Sequence, residues 1–524
     1  MANKLFAVKP LSLLLEEMKG EHRLRRVLGP VQLTSLGVGA VIGAGIFVAT
    51  GAAARNQAGP ALMFSYMLAG LICIFSALCY AEFASMVPVA GSAYTYAYAT
   101  LGELFAWIIG WDLVLEYAVG AATVANGWSS FFQTLLPRIG IHLPEVIARA
   151  PIVYDTNTGH FVATHGIINL PAVVIVTIIT AVLVKGIQES ASFNATMVGI
   201  KLAAVLFVVM VGAFYVNPEN WKPMAPYGWG GLTFFGHTVW GQSVGGNPVG
   251  MLAGAAIIFF AYIGFDSVST HAEEARQPKR DVPIGIIASL VICTVLYVAV
   301  VAVLTGMVKY DQIDSGAGVS MAFSTVGLGW AEVIIALAGV AGITSVMLVM
   351  MLSAPRVFLA MSRDGMLPPS FFGAVHPKFR TPWKSTILVG VFVGVLAGFL
   401  PIEALLQMTN IGTLFAFTIV CAAVLIMRRT NPNAERPFRC PFVPLLPILG
   451  ILGCLLLMLS LPVANWWRLF GWLGIGIVIY FMYSRHHSVM SGRLAHEISA
   501  HGVSPGGALV EDVDDIDGRP KDKK

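Results

Sequence analysis

The 524-residue chain is 57% hydrophobic and only 11% charged, with a formal net charge of +4 and a mean hydropathy of +0.77. Soluble domains carry roughly 25% charged residues, so this composition cannot build a water-exposed surface. Soluble enzymes and disordered scaffolds are excluded, the small net charge calls for no nucleic acid, and membrane lipid is the solvent that fits.

The first thirty residues are basic but contain Glu16, Glu17 and Glu21. No small-residue cleavage site follows a short apolar core, so no cleaved signal peptide is expected. A helix that crosses a bilayer needs about 20 apolar residues. Charge-free runs of that scale occur at 27–54, 61–81, 117–137 and 166–184. The third is expected to begin near Leu104, so it takes in Asp112 and Glu116. Residues 190–216 and 250–270 are apolar runs holding one ionisable group each, Lys201 and Asp266. Runs at 282–308, 333–355, 385–402, 404–427, 440–467 and 469–484 bring the expected count to twelve spans.

An even count places both termini on one side. With loops assigned alternately, one side holds 25 of the 32 Lys and Arg residues and the other holds six, Lys201 lying within the membrane. This positive-inside asymmetry predicts a multi-pass protein of the cell (inner) membrane with both termini cytoplasmic. The expected organisation is an N-terminal segment (1–29), a ten-helix core (30–428), two further helices (429–484) and a disordered cytoplasmic tail (485–524). Two outer loops are long: 138–165 is polar, and 217–249 holds seven glycines and several aromatics, the pattern of a partly inserted flap. Cys73, Cys79, Cys293, Cys421, Cys440 and Cys454 have no metal-type spacing and read as free thiols. The histidines show no ligand spacing either, and no metal or cofactor is expected.

The strongest local signal is Gly37-Val-Gly39-Ala-Val-Ile-Gly43-Ala-Gly45-Ile-Phe47, in the middle of the first span. As a dinucleotide fingerprint it would need a preceding strand and a soluble βαβ unit, and neither exists. Small residues at a spacing of four also let helices approach closely, which applies in part to Gly39 and Gly43. The sharper reading is an unwound point at Gly43-Ala44-Gly45. Each Gly costs about 1 kcal/mol relative to Ala within a helix, and freed backbone groups at bilayer depth are tolerated where they line a cavity. Amides opening the second half-helix suit a carboxylate. Carbonyls closing the first half suit an ammonium, so the pair would hold the head group of an α-amino acid. Residues 259–266, Phe-Phe-Ala-Tyr-Ile-Gly-Phe-Asp, supply a second candidate break at Gly264, five spans further on. That spacing fits an inverted five-plus-five repeat with two extra spans.

At these residues the chain resembles the amino acid–polyamine–organocation (APC) superfamily, most closely bacterial members of the cationic amino acid transporter (CAT) family. The matching pieces are residues 37–47, Tyr80-Ala-Glu82-Phe with Pro88-Val-Ala-Gly91-Ser-Ala-Tyr94-Thr-Tyr96, Gly110-Trp111 to Glu116-Tyr117, Phe260 to Asp266, and Glu273 to Pro283. They run in order between about Leu24 and Arg428, and five in register are highly specific. The resemblance implies an all-α integral membrane fold of twelve transmembrane helices. Its core is an inverted repeat of the leucine-transporter type, with helices 1 and 6 broken. It implies that Ile42, Gly43, Ala44 and Gly45, with Phe260, Ala261 and Ile263, hold the substrate, Phe260 acting as a gate. Alanine at position 44, often a hydroxyl residue in relatives, leaves the carboxylate to backbone groups.

A charge at the helix centre costs about 2.5–3.5 kcal/mol on insertion scales, so each one needs a reason. Lys201 is either a structural ammonium bonded to carbonyls of a neighbouring helix or a proton-coupling residue. Burial penalises an ammonium, which lets a lysine give up and regain its proton. By resemblance it replaces a sodium ion between the first and eighth helices, so protons are the expected coupling ion. Glu116 would hold the substrate ammonium through water or shuttle a proton, unless it simply bonds a helix break. Asp266 either couples protons or stabilises the unwound backbone. Asp112, Glu82, Glu273, Glu274 and Arg276 read as inner-gate ion pairs or loop anchors, and Arg356 as a snorkelling side chain. In the eighth and tenth spans, Ser345, Met347, Met350, Met351, Thr409 and Asn410 are candidates for the side-chain pocket. Met350 projecting into it would shorten it and favour small or medium neutral substrates, although methionines facing core or lipid would look the same.

The expected function is proton-coupled uptake of small or broad-range neutral L-amino acids by alternating access. Cationic amino acid transport or amino acid exchange is the alternative, and a non-transporting amino acid sensor is the alternative from another class. A channel would need a continuous polar pore, and no nucleophile–base pair points to an enzyme. A small single-span accessory subunit is a further partner to consider.

Overall fold

The computed structural model describes residues 6–10, 28–86, 92–155, 160–186, 191–272, 275–379 and 381–490. The helices are α1 (Pro30–Val41), α2 (Leu62–Met86), α3 (Ser92–Thr100), α4 (Glu103–Leu135), α5 (Leu170–Lys185), α6 (Ala191–Gly212) and α7 (Met251–Ile258). They continue with α8 (Ser267–Thr270), α9 (Pro278–Met307), α10 (Gly329–Arg363), α11 (Trp383–Phe399), α12 (Ile402–Thr430), α13 (Leu445–Leu459) and α14 (Val463–Ile479). With no water in hydrocarbon to satisfy the backbone, long apolar segments have little choice but to coil. Among the described residues, eight helical stretches are long and apolar enough to cross a membrane, and α5, α11 and α13 are shorter apolar helices.

The long helix α4 runs through the middle of the bundle, with 23 of its 33 residues buried, against α10 and α12. Its small residues Gly120, Ala121, Ala122, Ala125 and Gly127 permit that closeness. Outward faces stay apolar and exposed, as at Val295, Leu337, Val391 and Leu452, which suits contact with lipid tails. The start of α5 is fixed by Asn169, whose side chain accepts from the Ala172 amide while its own amide donates to the Gly398 carbonyl.

The strands lie in the two long loops. β1 (Ile152–Asp155) pairs antiparallel with β2 (His160–Ala163). The 217–249 segment forms two hairpins, β3 (Leu232–Phe234) with β4 (His237–Trp240) and β5 (Gln242–Val244) with β6 (Asn247–Val249). β4 is exposed along its length, and the segment attaches through Thr233 of β3, whose hydroxyl donates to the Leu459 carbonyl at 3.2 Å, and through its flanks. Tyr227 Oη donates to the Arg55 carbonyl at 2.5 Å, and the Gly250 amide to the Gln57 carbonyl at 2.8 Å. The loop thus rests on the second half of the first broken helix.

Two boundaries differ from the sequence reading. The expected division at Arg468 falls instead at Leu461-Pro462, because proline caps a new helix, and Arg468 bonds Asn465 within α14. Residues 485–487, placed in the tail by sequence, continue the helix of α14, and 488–490 pack onward from its end. Ser488 is buried against Glu103, and the Val489 amide donates to the Asp364 carbonyl at 3.1 Å. Residues 6–10 are held too: Lys9 is buried, with its Nζ 3.0 Å from Asp364 Oδ1. Glu273 and Glu274, and the tail from 491, lie outside the described residues.

Candidate functional site

Helix α1 stops at Val41, and Ile42 takes an extended conformation (φ −72°, ψ 105°). The chain is helical again at Ala44 and runs as a wide helical turn at Gly45–Ala49, so residues 42–43 interrupt the coil. A helix that restarts inside the bundle opens with amides lacking intrahelical acceptors. Among the described residues, no backbone carbonyl takes the N–H of Gly43, Ala44 or Gly45. The side chains of Ile42, Ala44 and Phe47 are buried.

The second interruption follows α7. A tight turn at Phe259–Tyr262 leads to Ile263 in an extended conformation and to Gly264 at φ +116°, which side-chain-bearing residues rarely adopt. Asp266 holds this turn: Oδ1 accepts from the Gly264 amide at 3.2 Å and Oδ2 from Tyr117 Oη at 2.7 Å. Ser267 Oγ donates to the Gly264 carbonyl at 2.5 Å. Asn410, on α12, donates to the Ala256 and Ile257 carbonyls at 2.9 and 2.7 Å, closing the end of α7.

The two interruptions touch. A Cβ added to Gly45 would lie 2.2 Å from the Ala261 Cα, and one on Gly43 would lie 2.5 Å from Val346 of α10. Tyr297 of α9 has its hydroxyl 2.9 Å from the Val41 carbonyl and 3.1 Å from that of Ala261, reaching both breaks at once. Tyr66 of α2 lies 2.7 Å from Thr50 Oγ1 and 3.5 Å from the Gly45 carbonyl. Sequence reasoning missed both tyrosines. A polar ring in an apolar span was the available signal, but nothing in sequence says which helix it faces.

Lys201 is fully buried on α6, its Nζ donating to the Gly39 carbonyl at 2.6 Å and to Ser345 Oγ of α10 at 3.1 Å. It therefore ties the end of α1 to α10, and its stem lies against Gly342. Glu116 and Asp112 are buried one turn apart on α4, and among the described residues no group hydrogen-bonds their carboxylates. Thr413 neighbours Glu116, but its hydroxyl donates to the Thr409 carbonyl at 3.1 Å. The inner-gate ion pair envisaged for Asp112 is thus absent among the described residues, because the side chain faces Gly412 rather than a cation. Glu82 does form one, with Arg428 and Arg436. Below the second break, His271 lies near the half-buried Arg356, and burial, helped by that guanidinium, pushes the His271 pKa down to about 4.

Met350 is buried on α10, its sulfur 3.2 Å from where a Gly120 Cβ would be, with Thr409 close by. Met347 and Met351 are buried as well, so none of the three faces lipid. Phe260 and Ala261 lie in the tight turn and Ile263 just after it, all buried. A cavity lined by Ala53, Asn56, Gln57, Ile257, Glu403 and Gln407 opens beneath Tyr227 of the loop, beside the helix that follows the first interruption and beside α7.

An all-helical bundle with several helices apolar enough to cross a membrane is a multi-pass membrane protein, and the family and relatives that follow point to a transporter rather than an enzyme. The chain belongs to the amino acid permease family, whose model matches residues 28–483. It is 43% identical to the methylthioribose transporter of Bacillus subtilis (strain 168) over 489 residues, covering 93% of this chain and 100% of that protein. It is 45% identical to the branched-chain amino acid permease BcaP of the same organism over 492 residues, covering 94% and 100%. The vacuolar cationic amino acid transporter 4 of Arabidopsis thaliana is 38% identical over 419 residues, covering 79% of this chain and 65% of that protein.

Proposed function

We propose that this chain imports neutral L-amino acids, branched-chain ones included, across the cell membrane by alternating access coupled to protons. Twelve spans, both termini in the cytoplasm and a five-plus-five inverted repeat complete the reading. The observation that carries it is the contact between two interrupted helices at Gly45 and Ala261. It brings unpaired amides at Gly43–Gly45 beside the carbonyls of Val41 and Ala261. Donors and acceptors so placed match a zwitterionic head group. Substrate entry would release the Tyr297 hydroxyl from one of those carbonyls.

Lys201 is the proposed coupling residue, because its ammonium bridges the Gly39 carbonyl and Ser345 and so reports on the fit between α1 and α10. One proton moving down about 100 mV is worth roughly 2.3 kcal/mol, enough for about fifty-fold accumulation. Neutral substrates are favoured over cationic ones because buried Met350 closes the space beside Gly120, and BcaP, a branched-chain amino acid permease, is a relative along its whole length. Methylthioribose is the second substrate reading, on the strength of the 43% identical relative.

Uptake of radiolabelled leucine and alanine into proteoliposomes under an inward proton gradient, with methylthioribose and arginine as competitors, tests this. Gradient-dependent accumulation of the neutral amino acids is expected. Saturable binding without accumulation would instead identify a sensor, and competition by methylthioribose alone would reassign the substrate.

A further inference from the structure

The helix that follows the first interruption, the 217–249 loop, α7 and the start of α12 enclose a cavity of about 90 Å³, room for several waters and so for a small head group. Its polar wall is drawn from two elements. Asn56 and Gln57 lie in the last turn of the first broken helix, and Glu403 and Gln407, four residues apart, share one face of α12. All four are partly exposed, so water reaches them. Among the described residues, none of these side chains hydrogen-bonds another residue, and no cation pairs with Glu403.

An acid in the first turn of a helix is ordinary, since the opening amides favour negative charge there. That accounts for Glu403 alone. It leaves three amide side chains, from two separate elements, lining the same cavity with donors and acceptors unspent. A concave wall with a few convergent polar groups is what a small-molecule site requires. The groups present also define the ligand. A carboxylate without a cation draws an ammonium and turns anions away. Side-chain amides donate to a carboxylate without adding charge. A zwitterion satisfies both.

We infer that this cavity is a second, outer site for an α-amino acid, with Glu403 taking the ammonium and the side-chain amides of Asn56, Gln57 and Gln407 the carboxylate. This second site rests on the transport reading, in whose orientation the cavity opens to the outside. Ile257 and Leu406 form its apolar side. The Ile257 carbonyl accepts from Asn410 at 2.7 Å, and the tight turn at Phe259–Tyr262 follows directly, so an occupant waits beside the second interruption. Tyr227, held on the Arg55 carbonyl, borders the cavity from the loop. A solute without an ammonium, such as methylthioribose, gains nothing from Glu403.

The test uses the full chain, in detergent for equilibrium binding of radiolabelled leucine and in proteoliposomes for uptake. The unmodified chain should bind two leucines and Glu403→Gln one. In Glu403→Gln the KM for leucine uptake should rise about fivefold with kcat unchanged, the scale of one partly exposed charged hydrogen bond. Glu403→Asp should recover part of that loss, which a merely structural role would not produce. If Glu403→Gln does not fold, Gln407→Leu and Asn56→Leu carry the comparison. A single leucine on the unmodified chain, an unchanged KM, or a fall in kcat at fixed KM each overturn the proposal. Displacement of one of the two leucines by potassium chloride overturns it too, because the cavity would then hold an inorganic cation. Binding in detergent needs no transport, so a two-to-one change without any uptake would reject the transport reading and keep the site.

Discussion

At the first interruption the glycines are imposed by neighbours, since Gly43 faces Val346 and Gly45 sits on the Ala261 backbone. At the second, Gly264 is imposed by its own backbone, at φ +116°, and Asp266 two residues on accepts its amide. Most of what services the first comes from elsewhere, Tyr66 from α2, Lys201 from α6 and Tyr297 from α9, with Thr50 donating locally to the Gly45 carbonyl at 3.3 Å. The second is also reached from outside, by Tyr117, Asn410 and Tyr297, but the turn at Gly264 itself is closed from within by Asp266 and Ser267. A break held from outside changes when its neighbours move, whereas one held from within keeps its shape. On the proposed function, the first would be the half that responds to substrate and proton, and the second the half whose turn keeps its shape.

The harshest way to break that asymmetry is Gly45→Val. Its Cβ would fall 2.2 Å from the Ala261 Cα, and backbone cannot yield as a flexible side chain can. Overpacking costs typically about 1–3 kcal/mol, and more when two helices must separate. Uptake should be abolished, with a lowered melting temperature in detergent. Uptake within twofold of the unmodified chain would show that the two interruptions need not touch.

Next in size is Lys201→Ala. Loss of the Gly39–Lys201–Ser345 bridge removes the proposed proton-bearing group from the first break. Accumulation driven by about 100 mV should fall from roughly fifty-fold to none, while unlabelled-for-labelled exchange persists. Unchanged accumulation, measured across inward gradients at several external pH values, would retire the coupling role and leave a structural ammonium.

A smaller effect is expected at the fixed half. Gly264→Ala keeps the Asp266 bonds but places a Cβ at positive φ, 2.9 Å from the Ala40 carbonyl. The strain is about 1–2 kcal/mol, seen as a lower melting temperature with the pH dependence of uptake preserved. A changed pH dependence would mean that the second break also senses protons, and the asymmetry would fail.

The contrast also explains what could be read in advance. Glycine weakens helices wherever it sits, so residues 43–45 and 264 were visible as weak points in apolar runs. A lysine mid-span was equally conspicuous, and the long buried α4 followed from its charge-poor pattern. Partners were not legible. Tyr297 looks like any aromatic in a lipid span until tertiary packing aims it at Val41 and Ala261. Nor does spacing reveal that Asp112 faces a glycine while Glu82 meets two arginines, because ion pairing across helices depends on rotation about each axis. The boundary at Pro462 was hidden by Arg468, a charge that reads as a loop but bonds within its helix.

The gentlest change sharpens the picture at the side-chain end of the site. Met350 reaches across to Gly120, where no side chain exists to oppose it, and Thr409 borders the same space. Met350→Ala removes three heavy atoms from a wall that the head-group contacts do not use. Head-group recognition should survive, so alanine uptake should change little. Longer side chains should gain, since a methylene in an apolar pocket is worth about 1–3 kcal/mol of discrimination. The ratio of leucine to alanine in kcat/KM should rise roughly five- to tenfold, the lower end of that range. Arginine should remain a poor substrate, because the shortened residue adds no carboxylate, and its entry would require a partner such as Glu116, one turn from Gly120 on α4. If the leucine-to-alanine ratio stays put while alanine uptake collapses, Met350 holds α4 against α10 rather than bounding the pocket, and substrate size is set elsewhere.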